Sequence, residues 1–224
     1  GLGDQPARMA GMLRAAGIAV RWAPPRFDFD HAKVILLDSR LAIISTANFS
    51  RAGFASDRDV VIFDRQGRDI RGVSAIFRAD WDRLPASVAD ANLVVSPDNA
   101  RQKLGRLIAG ARRSIDIYAE EFVDRRFARV LMQAAARHVR VRVLLPPGAA
   151  PVRRAGIAVR TLSRPYIHAK VIMVDGRETF VGSENLSPVS LAKNREIGIL
   201  LRGVNRRLER VFGRDWVRAR RALR

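Results

Sequence analysis

Apolar and polar positions follow two different periods along residues 92–145. Three short apolar runs rich in β-branched residues, NLVVS, SIDIYAE and VRVRVLL, are typical of buried strands. Between them, DNARQKLGRLIAGA and DRRFARVLMQAAARH place apolar residues three and four positions apart, which predicts two helices. Strands that alternate with helices form βαβ units. This segment therefore predicts an α/β fold whose sheets are mainly parallel and flanked by helices.

The rest of the pattern occurs twice. HAKVILLD at residues 31–38 returns as HAKVIMVD at residues 168–175, 137 positions later. The same spacing relates Asn48 to Asn185, Arg58 to Arg195 and Asp59 to Glu196. GIAVR precedes both copies, and IFRADW after the first is answered by VFGRDW after the second. After each motif the pattern predicts a second strand (LAIIST; TFVGS), a third strand (DVVIF; EIGIL) and a helix ending near a Trp. An internal duplication is the simplest explanation.

The duplication divides the chain into a first repeat, residues 1–88, and a second repeat, residues 89–224. Residues 92–145 have no counterpart before the first motif, so we expect the first repeat to be truncated by roughly 50 residues. Such a truncation would leave a sheet edge exposed. The first residues, GLGDQPARM, lack an initiator Met and a signal-peptide pattern, and no apolar run is long enough to span a bilayer.

Each copy places four polar groups on two neighbouring strands. Side chains alternate between the faces of a strand, so residues two positions apart point the same way. The candidate catalytic residues are His31, Lys33, Asn48, His168, Lys170 and Asn185, with Thr46 and Ser183 as supporting hydroxyls. Lysine neutralises phosphate oxygens, amides and hydroxyls donate hydrogen bonds to them, and imidazole attacks phosphorus or carries a proton. We therefore expect one phosphodiester site between two similar halves, with the two motif histidines facing each other.

Two pairs of carboxylates accompany the motif. Asp38 and Asp175 end a strand before a turn, which favours a structural role. Asp59 and Glu196 open a strand 28 residues after each His, where a carboxylate can hold one imidazole nitrogen and stabilise the imidazolium. A salt bridge to a nearby Arg explains this second pair equally well. The remaining histidine, His138, lies at a predicted helix-to-strand turn and is interpreted as structural.

Composition narrows the chemistry further. The chain has no Cys, which excludes disulfides, thiolate catalysis and thiolate metal sites. A metal site would favour His-x-His or His with clustered carboxylates, whereas this motif puts a Lys beside the His. We expect no metal and no other cofactor. Lys and Arg total 41 against 22 Asp and Glu, a formal charge of +19, which indicates a polyanionic partner or a general bias towards Arg.

HAKVIMVD-GRETFV-GSEN resembles the complete HxKxxxxDxxxxxxGSxN signature of the phospholipase D superfamily. HAKVILLD-SRLAII-STAN is similar, but Ser45 stands where the family has Gly and Thr46 where it has Ser. LSPVSLAKNREIGIL and the FRADW stretch resemble bacterial members described as phospholipase D-like or cardiolipin synthase-like. The resemblance covers nearly the whole chain and is specific for the superfamily, but it says little about the substrate.

The resemblance implies two halves packed around a pseudo-twofold axis. It also implies that one His, often the first (His31 here), forms a phosphohistidine while the other protonates the leaving alcohol and then activates water or an acceptor alcohol. Phospholipid is the favoured substrate, with an anionic membrane surface as partner and a peripheral location at a membrane or the cell envelope. A nuclease acting on DNA or RNA is the first alternative, since the same charge would hold a phosphate backbone. An inactive phosphate-binding protein is the second.

A lipid enzyme needs apolar side chains near its site. The loop WAPPRFDFD before the first motif offers Trp22, Phe27 and Phe29. Ordinary packing between the two halves explains these three aromatic residues slightly better. The sequence leaves the oligomeric state open.

Overall fold

The computed structural model describes residues 5–149 and 156–221. Their helices are α1 (Gln5–Ala15), α2 (Arg51–Ala55), α3 (Gly67–Trp81), α4 (Ala100–Ala109), α5 (Arg125–Ala136), α6 (Pro188–Ala192) and α7 (Arg206–Arg218). Their strands are β1 (Val34–Leu37), β2 (Leu41–Ser45), β3 (Asp57–Arg58), β4 (Val61–Asp64), β5 (Leu93–Ser96), β6 (Ser114–Tyr118), β7 (Arg140–Leu145), β8 (Ile157–Thr161), β9 (Tyr166–Ile167), β10 (Val171–Val174), β11 (Glu178–Gly182), β12 (Glu196–Arg202) and β13 (Arg220–Arg221).

The large sheet has eight strands in the order β13-β8-β7-β6-β10-β11-β12-β5. β6, β7 and β8 are parallel neighbours, and α5 connects β6 to β7, as the βαβ pattern predicts. The other neighbouring pairs in this sheet are antiparallel. For β10 and β11 this follows from their connection, because a tight turn can join only antiparallel strands. Five of the eight strands still run in one direction. The predicted α/β class is confirmed.

A smaller sheet in the first half repeats the geometry of the second-half hairpin. Its three strands follow the order β1-β2-β4, and all pairs are antiparallel. Val34 lies opposite Ile44 in this hairpin, and 137 positions later Val171 lies opposite Val181. The register of the two hairpins is therefore the same, which confirms that the sequence repeat is a structural repeat.

Helix α5 shows how sequence fixes the flanking layer. Asp124 caps its first turn by accepting hydrogen bonds from the backbone N–H groups of Arg126 and Phe127. Its apolar stripe buries Phe127 and Leu131 in a core cluster formed with α4 and one face of the large sheet. A second cluster, on α7, packs against the opposite face. Helices therefore cover both faces of the large sheet.

A third core cluster joins the two halves. Ile44 and Val73 from the first half pack with Leu93 and Ile197 from the second, and Ile44 and Leu93 are fully buried. Burying aliphatic side chains of this size stabilises a fold by about 1.5–3 kcal/mol each. This shared core fixes how the two repeats sit relative to each other, and hence where the motifs meet.

Candidate phosphodiester site

Backbone pairing between the halves places both motif histidines. β3 of the first half pairs with β9 of the second, which leads directly into His168. The N–H of His168 donates to the carbonyl of Arg58 at 3.3 Å. In the matching position, the N–H of His31 donates to the carbonyl of Arg195 at 2.9 Å. The sequence predicts that strands carry these histidines, but both lie just before β1 and β10, because their N–H groups bond to the other half.

The carboxylates that orient the imidazoles are exchanged between the halves. Nδ1 of His31 lies 2.9 Å from Oε2 of Glu196, and Nδ1 of His168 lies 3.0 Å from Oδ1 of Asp59. Of the two interpretations that the sequence leaves open, the structure therefore favours the imidazole contact. In a neutral imidazole that donates its Nδ1 proton to the carboxylate, Nε2 carries the lone pair. Nε2 of His168 lies 3.3 Å from Nζ of Lys170.

Further hydrogen bonds hold these two carboxylates in place. The hydroxyl of Thr46 donates to Oδ1 of Asp59 at 2.5 Å. Oε1 of Glu196 accepts from the hydroxyl of Ser190 at 2.7 Å and from the amide of Asn194 at 3.1 Å. The structure thus places Thr46 behind Asp59 as a support. Ser183, its counterpart, bonds the backbone of Ile197 in the neighbouring strand, with 3.1 Å between its hydroxyl and the Ile197 N–H.

The two motif lysines are buried and held alike. Nζ of Lys33 donates to the carbonyl of His31 at 2.7 Å, and Nζ of Lys170 donates to the carbonyl of His168 at 2.6 Å. Burial, and then the Lys170 ammonium, lower the pKa of Lys33 to about 8. Burial also lowers the pKa of Lys170. Two desolvated cations so close together form a ready anion-binding position.

The two motif asparagines lie in different surroundings. Nδ2 of Asn48 lies 3.4 Å from Nε2 of His168, so the first half contributes an amide to the second half's imidazole. The backbone N–H of Asn185 donates to the hydroxyl of Ser190. Oδ1 of Asn185 is buried and has no hydrogen-bond partner among the described residues. The structure therefore brings Asn48 directly to an imidazole.

Asp175 and Asp38 differ in what they hold. Both adopt left-handed backbone conformations, with φ of 55° and 49°. The carboxylate of Asp175 accepts hydrogen bonds at 2.7–2.9 Å from the N–H groups of Arg112, Arg113 and Ser114. The structural interpretation of Asp175 agrees with this geometry. Asp38 is exposed at its own turn. His138, also at a left-handed turn (φ 65°), lies between α5 and β7.

Glu120, just beyond β6, is a site residue that sequence reasoning missed. Its Oε2 lies 2.6 Å from Nζ of Lys170 and 3.6 Å from Nε2 of His168. Burial acts to raise the pKa of Glu120, but the Lys170 ammonium outweighs it, and the net pKa lies below the usual range. Glu120 belongs to the segment that is not duplicated, so the repeat gives no signal for it.

Glu184, inside the GSEN block, was also missed. It is fully buried, and neither carboxyl oxygen has a hydrogen-bond partner among the described residues. Burial, and then Glu196, raise its pKa well above the usual range, which favours the uncharged form of this carboxyl. A Cβ added at Gly182 would collide with it. In the first half Ala47 replaces Glu184, which leaves room for Ser45 in place of the family's Gly.

Across residues 5–149 and 156–221, no group of three or more His, Cys, Asp or Glu side chains is arranged to hold a metal ion. None of the described helices is both long and apolar enough to cross a bilayer.

On this fold, the paired His–Lys motifs and the exchanged carboxylates suit phosphodiester chemistry. The family described as "Cardiolipin synthase, PLD-like domain" matches residues 3–81 and 104–216. The chain belongs to this family, within the phospholipase D superfamily.

Individual relatives share the fold at low identity. Cardiolipin synthase B of Escherichia coli O6:H1 is 26% identical over 247 aligned residues, covering 86% of this chain and 59% of that protein. The chain thus spans little more than half of that relative's length. The polyphosphate kinase structure from Porphyromonas gingivalis superposes with a TM-score of 0.74 at 19% identity, covering 91% of this chain and 35% of that one. The phospholipase D family member Nuc from Salmonella typhimurium gives 0.52 at 22% identity, covering 59% and 97%.

Proposed function

We propose that the protein is a phospholipase D-type phosphodiesterase that hydrolyses or transfers a phosphatidyl group without a metal ion. The observation that carries this proposal is the exchanged pairing of His31 with Glu196 and of His168 with Asp59, beside two buried lysines. It provides two imidazoles that each present Nε2 as the reactive nitrogen, with two buried lysines to bind an anion. We propose further that residues 1–88 and residues 89–224 form the two repeats that share this site.

The proposed reaction has two steps. Nε2 of His31 attacks phosphorus while the bond to the leaving oxygen breaks, and protonated His168 gives its proton to that oxygen. Neutral His168 then takes a proton from water or an acceptor alcohol, whose oxygen attacks the phosphohistidine and releases His31. Lys33 and Lys170 neutralise the phosphate oxygens throughout. We assign the nucleophilic role to His31 because the first-motif His is often the nucleophile in the superfamily that this sequence resembles, which leaves the acid–base role to His168.

Exposed aromatic side chains beside the site support a lipid substrate. The ring of Phe29, 55% exposed, lies 5.8 Å from the ring of His31. Phe49, next to Asn48 in the chain, is exposed and stacks on exposed Phe54 at 6.2 Å. Such an apolar rim suits acyl chains better than a polar substrate. The charge of +19 suits an anionic membrane surface as partner.

Of the three aromatics in the loop before His31, Phe27 follows the packing interpretation. It is buried, and the guanidinium of Arg195 lies 4.3 Å from its ring centroid. Trp22 is exposed, as Phe29 is. Two of the three side chains therefore remain available to a substrate or a membrane.

The deciding experiment incubates the protein with phosphatidylcholine or phosphatidylglycerol vesicles and, separately, with single- and double-stranded DNA, all in excess chelator. Released headgroup, or phosphatidyl alcohol when an alcohol is added, supports the proposal. Nicked DNA with intact lipid supports the nuclease alternative, which the positive charge also favours. Activity that requires added metal contradicts the metal-free mechanism.

Single substitutions separate catalysis from binding. His31→Ala and His168→Ala should each abolish turnover, and the double variant should be no worse than either, because the two residues act as a unit. If both single variants keep full turnover, this site is not the catalytic one. If the unsubstituted protein binds phosphate but shows no turnover, it is the inactive phosphate-binding alternative.

A further inference from the structure

The Glu120 carboxylate takes up one of the N–H donors of Lys170. An ammonium has three N–H donors. One donates to the His168 carbonyl at 2.6 Å, one donates to Glu120 at 2.6 Å, and Nε2 of His168 lies 3.3 Å away. A nonbridging phosphate oxygen that binds Lys170 must therefore compete with Glu120.

Only one member of this ion pair has freedom to move. The Lys170 side chain is 2% exposed, whereas that of Glu120 is 27% exposed. Lys170 is also anchored to a backbone carbonyl, so it cannot follow an incoming ligand. Rotating the Glu120 side chain towards solvent would free a charge-assisted N–H without changing the fold.

The other motif lysine provides an internal comparison. Within residues 5–149 and 156–221, Lys33 forms no ion pair, although it too donates to the carbonyl of its own histidine. The two motif lysines therefore differ in one respect, since Lys170 has a carboxylate partner in Glu120 and Lys33 has none among the described residues. The lysine that has this partner is the one beside His168.

We propose, on the basis of the proposed phosphodiesterase function, that Glu120 is a resident anion that occupies the phosphate position on Lys170 until a substrate displaces it. Small phosphate anions, which offer only the phosphate contacts, are then bound weakly. A phosphodiester with further groups binds because contacts beyond the phosphate compensate for the displacement. Glu120 is in this sense a specificity-determining residue.

The test measures binding of inorganic phosphate and of tungstate by calorimetry, and their inhibition of bis(p-nitrophenyl) phosphate hydrolysis. Glu120→Gln should bind both anions about tenfold more tightly or better, because one charge-assisted competitor is lost. The matched control is the neighbouring residue, Glu121→Gln, which should stay within about twofold of the unsubstituted protein. Unchanged or weaker anion binding in Glu120→Gln would overturn the proposal.

A second variant guards against loss of folding. Glu120→Asp keeps the negative charge near buried Lys170 but shortens the side chain by one methylene, so it should also bind phosphate more tightly than the unsubstituted protein. If Glu120→Gln does not fold, Glu120→Asp decides: without a gain in affinity there, Glu120 only positions Lys170 and the proposal fails. Calorimetric anion binding does not depend on turnover, so a protein that cleaves no phosphodiester would refute the proposed function, while the calorimetric comparison would still decide this proposal.

Discussion

Arg195 of the second half holds Asp80 of the first half through both carboxylate oxygens, with Nε–Oδ2 at 2.7 Å and Nη2–Oδ1 at 3.0 Å. Arg58 of the first half holds Asp215 of the second in the same way, at 2.6 and 3.0 Å. Each arginine directly precedes the carboxylate that orients an imidazole. The ion pairs therefore anchor the chain just where the halves exchange their carboxylates.

Loss of Arg195 should be costly. Its side chain is 2% exposed and also contacts Asp98, so Arg195→Ala leaves carboxylates without their buried partner. We expect the free energy of unfolding to fall by about 3–5 kcal/mol. Arg58→Ala should cost less, because Arg58 is 27% exposed and water can replace it. Urea unfolding measures both, and exposed Arg65→Ala, expected to change stability by about 0.5 kcal/mol or less, is the control. Equal losses for all three would contradict this ranking.

The exchanged carboxylates should act on different steps. Glu196→Gln and Asp59→Asn should each lower kcat by about a hundredfold or more, since each removes the acceptor that fixes an imidazole tautomer. With Asp59→Asn the loss should shrink for a p-nitrophenol leaving group, which needs little protonation, because Asp59 serves the proposed acid His168. With Glu196→Gln the loss should not depend on the leaving group. Asp28→Asn, in an exposed pair with Lys193, should change little. The opposite leaving-group pattern would reverse the assignment of nucleophile and acid.

Activity should fall as pH rises through about 8. Lys33 binds phosphate as an ammonium, and its lowered pKa means that the free protein loses this charge near pH 8 instead of above pH 10. A profile of kcat/KM against pH reports groups of the free enzyme and should show this alkaline limb. Substitution of exposed Lys193 by Met should leave the limb in place. A profile that stays flat to pH 10 would rule out Lys33 as the cation that matters.

Asp175 and Asp38 form a matched pair for stability. Asp175→Asn keeps the residue type that tolerates positive φ but loses charge and one acceptor, so it should lower the free energy of unfolding by about 1–2 kcal/mol. Asp38→Asn should change it by about 0.5 kcal/mol or less.

Burial acts to raise the pKa of Asp175, but its three backbone hydrogen bonds lower it overall. Its contribution is therefore present above the unfolded pKa near 4 and lost as pH falls below it. Thermal melts from pH 7 to pH 3 should show a smaller decline for Asp175→Asn than for the unsubstituted protein.

Local sequence patterns were enough for much of the fold. The two periods of residues 92–145 identify β5, α4, β6, α5 and β7, and the repeat identifies the two hairpins. Helix α1 was not predicted, because it lacks an apolar stripe and buries only Ala10 among its described residues. The strand directions of the large sheet also depend on which strands become neighbours, and spacing alone does not state that.

Part of the candidate site could likewise be predicted from local patterns, and part of it could not. Alternation along a strand predicts that His31 and Lys33 share a face, and Ala32 between them packs into the core instead. The exchange of carboxylates could not be predicted, because the pattern relates Asp59 to the His of its own copy while the fold pairs it with the His of the other. Glu120 could not be predicted for a different reason: nothing in the single Tyr-Ala-Glu-Glu stretch indicates that its carboxylate contacts Lys170.

Asp59 and Glu196 each contact the histidine of the other repeat, so the complete site exists only when both repeats are folded and docked. A chain emerging from the ribosome, or one whose repeats have come apart, still carries every residue of the motif, yet neither imidazole has the carboxylate that prepares it. A protein able to break phosphodiester bonds would be hazardous to its cell if half-folded copies could do so. In the proposed mechanism the nucleophile therefore forms only when the two repeats dock correctly, and misassembled copies lack it.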